Sequence, residues 1–162
     1  MLKNLMGLFS KASSSASAGA SSSAPPTYVY KLVTHPTVNQ RYAFPIPIPA
    51  SHEFAISELD AKASGDGFIH LSTANQVQGT LERFFPQDQI VTLLKVDFGR
   101  LAGFKVVKWE KSSNGQEYPH LYAVNLEGEY IDSFRELARG DEGRQPWAEV
   151  IEKARREGWL QH

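Results

Sequence analysis

The sequence predicts an α+β fold: a mostly antiparallel sheet, or two small sheets, with one central helix packed on it and a second helix near the C-terminus. Three observations carry this. An apolar strand runs directly into a helix where Gly67-Phe68-Ile69-His70-Leu71-Ser72-Thr73 meets Ala74 to Phe85. Downstream, Ile90 to Phe98, Lys105 to Trp109, Tyr118 to Val124 and Tyr130 to Arg135 read as successive strands. Finally, Trp147, Val150, Ile151 and Ala154 recur at helical spacing behind Gln145-Pro146.

Taken in order, residues 1–26 form a leader and residues 27–162 a single domain. Leu2, Leu5, Met6 and Phe9 make a short apolar stripe, but Ser13 to Ser23 are all Ser, Ala or Gly and cannot offset their ordering entropy by burial, so the leader is expected to be disordered. Tyr28 to Val33 is a strand with one polar-edged face. Pro45, Pro47 and Pro49 remove backbone donors and keep Phe44 to Ala50 extended, as a brace over the core or a segment for a partner's groove. Ser57 to Lys62 suits one or two helical turns. Ser64-Gly65-Asp66-Gly67 is turn chemistry before the His70 strand.

Thr73 and Gln76 have capping-box spacing, which starts the central helix at Ala74, and Pro86 stops it. Ala74, Val77, Leu81 and Phe84 mark its buried side. Ile90 to Phe98 is apolar enough to be buried on both faces. Asn114-Gly115 lies in a gap too long for a two-residue hairpin, which predicts antiparallel strands joined by a longer loop. Pro146 is placed at the first helical position, Gly158 at the end, and Arg155 and Arg156 against the negative end of the dipole.

The chemistry concentrates at two places. His70, Ser72 and Thr73 put an imidazole and two hydroxyls at the strand-to-helix corner, and Glu117-Tyr118-Pro119-His120-Leu121-Tyr122 sets an imidazole among phenols and a carboxylate in a second strand. An imidazole inside an apolar strand needs a partner, because an unpaired one costs about 1–3 kcal/mol. His70 is therefore either a hydrogen-bonded core residue or the lining of a cavity, and Tyr118 and Tyr122 are either core or ligand contacts. His35, His70 and His120 offer no helical i, i+4 pair and no carboxylate fixed beside them, so no metal site is predicted.

GFIHLST, the A-x-Q-V-x-x-T-x-x-R-F-F helix, the strand ending LLKVD, then KWE and YPHLY together resemble the domain-of-unknown-function 952 family over Thr27 to Phe134. The Ser/Pro-rich leader and the PTYVYK strand resemble its fungal branch. More distantly, Ile69-His70-Leu71-Ser72 with Gly79 is similar to the second signature strand of ADP-ribosyltransferase-like folds, such as transfer-RNA 2′-phosphotransferases and rifampin ADP-ribosyltransferases. That resemblance implies an ADP-ribosyltransferase-like cleft for NAD, ADP-ribose or a similar nucleotide. His70, Ser72 and Thr73 would supply donors to the ribose, Tyr118 or Tyr122 would face the ring, Glu117 would oppose the developing cation, and Tyr30 and Lys31 would be further ligand contacts. Lys31 occupies the position where those transferases keep His or Arg.

Composition narrows the alternatives. The 162 residues are 41% hydrophobic and 11% aromatic, enough for one cored domain. The first fifty-two residues carry +4 and the remainder −5, which argues against a phosphate backbone as partner. There is no cysteine, hence no thiolate nucleophile or disulfide. No apolar run is long enough to span a bilayer. A cytoplasmic location is expected, with mitochondrial import as the alternative that an acid-free amphipathic leader allows. Three functions are compatible with these residues: a nucleotide-binding cleft requiring no cofactor, a small-metabolite enzyme using His70 and His120 as an acid–base pair with Tyr122, and a non-catalytic ligand- or protein-binding module, with oligomeric state open.

Overall fold

A computed structural model describes residues 24–64, 67–140 and 142–162. Residues 1–23 of the expected leader, and Gly65-Asp66 of the expected turn, lie outside the described residues. The elements in order are β1 (Tyr28–Thr34), β2 (Glu53–Ala55), α1 (Glu58–Ser64), β3 (Ile69–His70), α2 (Val77–Phe84), β4 (Ile90–Asp97), α3 (Phe98–Phe104), β5 (Val107–Lys111), β6 (Glu117–Leu121), β7 (Asn125–Glu127), β8 (Ile131–Ala138) and α4 (Trp147–Arg156). Every strand pairing is antiparallel, so the α+β expectation holds.

The strands form three sheets rather than one or two: β1-β4-β8, β2-β7 and β3-β6-β5. The first and third are stitched together where Tyr30 and Ser72 exchange both backbone hydrogen bonds, at 2.8 and 2.9 Å. That single bridge places β3 beside β1. It therefore decides which side chains of the two strands meet.

β1 differs from its expected polar-edged reading because it is covered on both sides. Tyr30 and Leu32 face a core built with Val77 and Leu81 of α2 and Trp147, Val150 and Ile151 of α4. Val29 and Val33 face a second core with Ile69, Leu71, Leu94 and Leu121. Because side chains alternate along a strand, Lys31 shares the side of Val29 and Val33, between the two sheets. β4 is buried on both faces, as expected.

Several boundaries move for local reasons. The chain from residue 74 to 76 is a turn, α2 begins at Val77, and only Gln76's half of the predicted box forms, its Oε1 accepting from the Thr73 amide at 3.1 Å. Pro146 sits one position before α4, not in its first turn. α3 was not expected; Asp97 caps it by accepting from the Arg100 amide at 3.0 Å. The Pro-rich segment is a brace: Phe44 packs edge-on against Phe134, and Gly128 passes so near Pro49 that an added Cβ would stand 2.0 Å from its carbonyl.

Tyr30, a predicted ligand contact, points instead into the helix-side core. Its hydroxyl donates to the Gln161 carbonyl at 2.8 Å and accepts from the Gln161 amide at 2.7 Å, and burial raises its pKa to about 12. Lys95 secures the same C-terminal segment, donating to the Trp159 carbonyl at 3.0 Å while its ammonium lies 4.2 Å from the Tyr28 ring centroid. Tyr30→Phe orphans both Gln161 backbone groups and should destabilise the protein by about 1–3 kcal/mol in urea unfolding. It should leave ligand binding at the site described next unchanged.

Candidate functional site

The site is organised by Asp60. Ser57 and Asp60 form a capping box at the start of α1: the Ser57 hydroxyl accepts from the Asp60 amide at 3.1 Å, and Asp60 Oδ2 accepts from the Ser57 amide at 3.1 Å. The cap turns the Asp60 carboxylate inward, where it is 1% exposed. There Oδ2 also accepts from Lys31 Nζ at 2.7 Å and from the Ser57 hydroxyl at 2.7 Å. Oδ1 accepts from the His70 amide and from His70 Nδ1, both at 2.9 Å.

Burial alone would raise the Asp60 pKa. The His70 hydrogen bond, then the charge and hydrogen bond of Lys31, outweigh it and hold the carboxyl well below the usual carboxylate range. Burial pushes the Lys31 ammonium the other way, downward, and Asp60 pulls it back. An ionised Asp60 has no proton to give, so His70 Nδ1 must be the donor. In the neutral ring this leaves the lone pair on Nε2, which has no partner among the described residues.

A second dyad lies alongside. The register pairs His70 with His120 on β6, and His120 with Lys108 on β5, so all three share one row of the sheet. Glu110 Oε2 accepts from His120 Nδ1 at 2.7 Å, and the Tyr122 hydroxyl donates to the same carboxylate at 2.7–2.8 Å. Phe68 stacks on His120 with centroids 4.2 Å apart, and His70 meets His120 edge-on at 4.8 Å. Burial lowers the His120 pKa; Glu110 opposes this, and the His70 charge adds to it. Glu110, hydrogen-bonded by His120 and Tyr122, is also held low.

On the other side of His70 a cleft opens between α1, β1 and α2. Lys31, Asp60, Ser72 and Thr80 form its polar floor, and Leu59 and Phe84 its apolar walls. Its cavity volume is about 50 Å³. The Ser72 and Thr80 hydroxyls lie 3.0 Å apart at the base.

Of the predicted site residues, the structure brings His70, Lys31 and Ser72 to the cleft and His120 and Tyr122 to the adjoining dyad. It does not bring in the rest. Glu117 is exposed near the β5–β6 turn, where its carbonyl accepts from Gln76 Nε2 at 2.7 Å. The Tyr118 hydroxyl is occupied at the same turn, accepting from Asn114 Nδ2 at 2.9 Å. Thr73 is taken up by the start of α2. Nor are the histidines without carboxylates, since Asp60 and Glu110 stand beside them, although no three His, Asp or Glu residues among the described ones are grouped to hold a metal ion. Two signals for the missed residues were present: the S-x-x-D spacing at Ser57, and the place of Glu110 in the strand facing His120 across the hairpin.

Residues 49–132 match the family described as "Protein of unknown function (DUF952)". The chain belongs to this family. The match contains Asp60, His70, Glu110, His120 and Tyr122, and starts after Lys31. The chain is similar to the crystal structure of protein CC0527 from Caulobacter crescentus, with 26% identity, a TM-score of 0.56, and coverage of 78% of this chain and 99% of that one. The solution structure of CC0527 gives 28% identity, a TM-score of 0.53, and coverage of 76% and 95%. No curated protein matches the chain.

Two outcomes follow. Asp60→Asn leaves the Lys31 ammonium buried without its counter-charge and should cost about 3–5 kcal/mol, part of which Lys31→Met restores in the double variant. Because folding lowers the His120 pKa, its contribution to stability is present above the ordinary imidazole value and lost as the pH falls below it. In an NMR titration, Glu110→Gln removes the opposing interaction and should lower the His120 pKa further.

Proposed function

We propose that this DUF952 protein is a small-molecule enzyme in which His70 acts as general acid–base at the mouth of the α1–α2 cleft. The observation that carries this reading is the grip of Asp60 on His70 Nδ1 at 2.9 Å, which fixes the ring and its tautomer with Nε2 as the reactive atom. Asp60 stabilises the imidazolium that forms when Nε2 takes a proton, and Lys31 keeps Asp60 ionised. The substrate is small and partly apolar, since the cavity volume of about 50 Å³ lies well below the roughly 300–1,000 Å³ typical of ligand pockets and Leu59 and Phe84 form its walls. His120, held by Glu110, is a second imidazole in edge-on contact with the first, its ring centroid 4.8 Å away.

A nucleotide reading is the alternative. It is favoured by the Ile69-His70-Leu71-Ser72 strand and Gly79, by the adjacency of that strand to Lys31, and by the aromatic platform of Phe68 and Tyr122. In this ADP-ribosyltransferase-like arrangement the cleft takes one ring of NAD or ADP-ribose, and the rest lies over the platform. Glu117 is remote from it, so binding without transfer is the form this reading takes. The leader and PTYVYK strand support membership of the fungal branch. No helix among the described residues is long and apolar enough to cross a membrane.

A thermal-shift screen of small metabolites, mononucleotides, NAD and ADP-ribose tests both readings. A ligand a hundredfold above its dissociation constant adds about 2.7 kcal/mol to stability. The expected shift is abolished by His70→Ala and kept by Glu117→Gln and Tyr118→Phe. A shift that survives His70→Ala would remove His70 from the site, and the absence of any nucleotide shift at millimolar concentration would dispose of the alternative.

A further inference from the structure

The two buried lysines of the described residues are used differently. Lys95 is spent on the C-terminal segment, donating to the Trp159 carbonyl and the Gln161 side chain and lying against the rings of Tyr28 and Trp159. Lys31 is just as buried, at 6% exposure, but its side chain lines an open cleft. Its Nζ donates to Asp60 at 2.7 Å and makes a long contact of 3.4 Å to the His70 carbonyl, against the three donors an ammonium has. Around it stand a carboxylate, an imidazole and the apolar surfaces of Leu32, Leu59, Phe84 and Phe85. A primary amine, an acid–base group and a water-poor wall are what carbonyl condensation requires.

We propose that Lys31 is a nucleophile toward carbonyl compounds, its amine condensing in this cleft with an aldehyde or ketone that carries an apolar group to form an imine. The proposal rests on the acid–base reading of His70. His70 Nε2, on the side of the ring away from Asp60, takes one proton from the Lys31 ammonium by way of solvent at the cleft mouth. The freed nitrogen pair attacks the carbonyl carbon, the π pair moves to oxygen, and a proton passes from nitrogen to oxygen to give a neutral carbinolamine. The imidazolium then returns its proton to that hydroxyl, the C–O bond breaks, water leaves, and the nitrogen pair closes the C=N bond. In sum, ammonium and carbonyl give iminium and water. Charge is unchanged, so the iminium takes the ammonium's place beside Asp60 and the buried carboxylate keeps a cationic partner throughout. Burial, which pushes the Lys31 ammonium toward its neutral form, assists the first step.

Reductive trapping tests this. The full chain is incubated at neutral pH with benzaldehyde and cyanoborohydride, and its peptides are mapped by mass spectrometry. Lys31 should acquire the benzyl group at least about tenfold faster than the well-exposed Lys153, because a desolvated amine is the better nucleophile. Lys31→Arg preserves the charge opposite Asp60 and should keep the fold by circular dichroism while losing the adduct from that peptide. Labelling of Lys153 with none at Lys31, or equal labelling of both, would overturn the proposal. His70→Gln separates it from the reading beneath it. Slower trapping at Lys31 supports both; unchanged trapping upholds the imine chemistry and removes His70 as the acid–base group. Conversely, His70-dependent ligands that contain no carbonyl, together with an inert Lys31, would uphold His70 and sink the imine.

Discussion

The carboxylate of Asp60 is the interaction on which the site depends. Among the described residues, five donor groups converge on its two oxygens, from Ser57, Lys31 and His70. A carboxylate offers roughly four lone-pair directions, so the Ser57 amide and hydroxyl share one side. Each of the three residues belongs to a different stretch of chain: the cap of α1, the middle of β1 and the start of the β3–α2 corner. The charge is therefore a structural knot as well as an electrostatic source. Without it β3, only two residues long, would have no reason to hold its imidazole in one orientation.

The second dyad is built from the same chemical parts in a different medium. Asp60 is sealed between the sheets, whereas Glu110 is 38% exposed on β5 at the sheet's edge. Water competes for Glu110 and screens its field, so the backing of His120 is weaker than that of His70 even though its hydrogen bond is shorter. Two imidazoles in edge-to-face contact thus stand in environments of different polarity, and a positive charge on one opposes a charge on the other.

The sequence revealed the strands and helices whose periodicity is strong: the apolar run of β4, the stripe of α4 and the strand containing His70. It also indicated that His70, Lys31, His120 and Tyr122 belong near one another. It did not reveal α3, whose seven residues follow a strand without interruption and whose one signal is the Asp97 cap. Nor did it reveal Asp60 or Glu110, since each acts across the fold, on residues 10 or 29 positions away in the first case and on another strand in the second. Glu117 is closer to His120 along the chain, whereas strand alternation and register decide which carboxylate faces it. Tyr30 failed for the same reason: one step along β1 from Lys31, it belongs to the opposite face.

The layer that holds Lys31 and Asp60 is otherwise apolar, with Val29, Val33, Ile69 and Leu71 contributing to it. Two well-packed hydrophobic side chains in place of a buried ion pair are often neutral or stabilising by about 1–4 kcal/mol, since each buried charge must be stripped of water. Stability alone therefore gives this core no reason to carry an ammonium and a carboxylate. The pair has meaning at the cleft, where the carboxylate fixes the tautomer of His70 and the amine stands on the floor of a pocket with apolar walls. The unfavourable desolvation is offset by the α1 cap and the β3 backbone bond that the same carboxylate supplies, which is how a reactive group can be kept inside a core without loosening it.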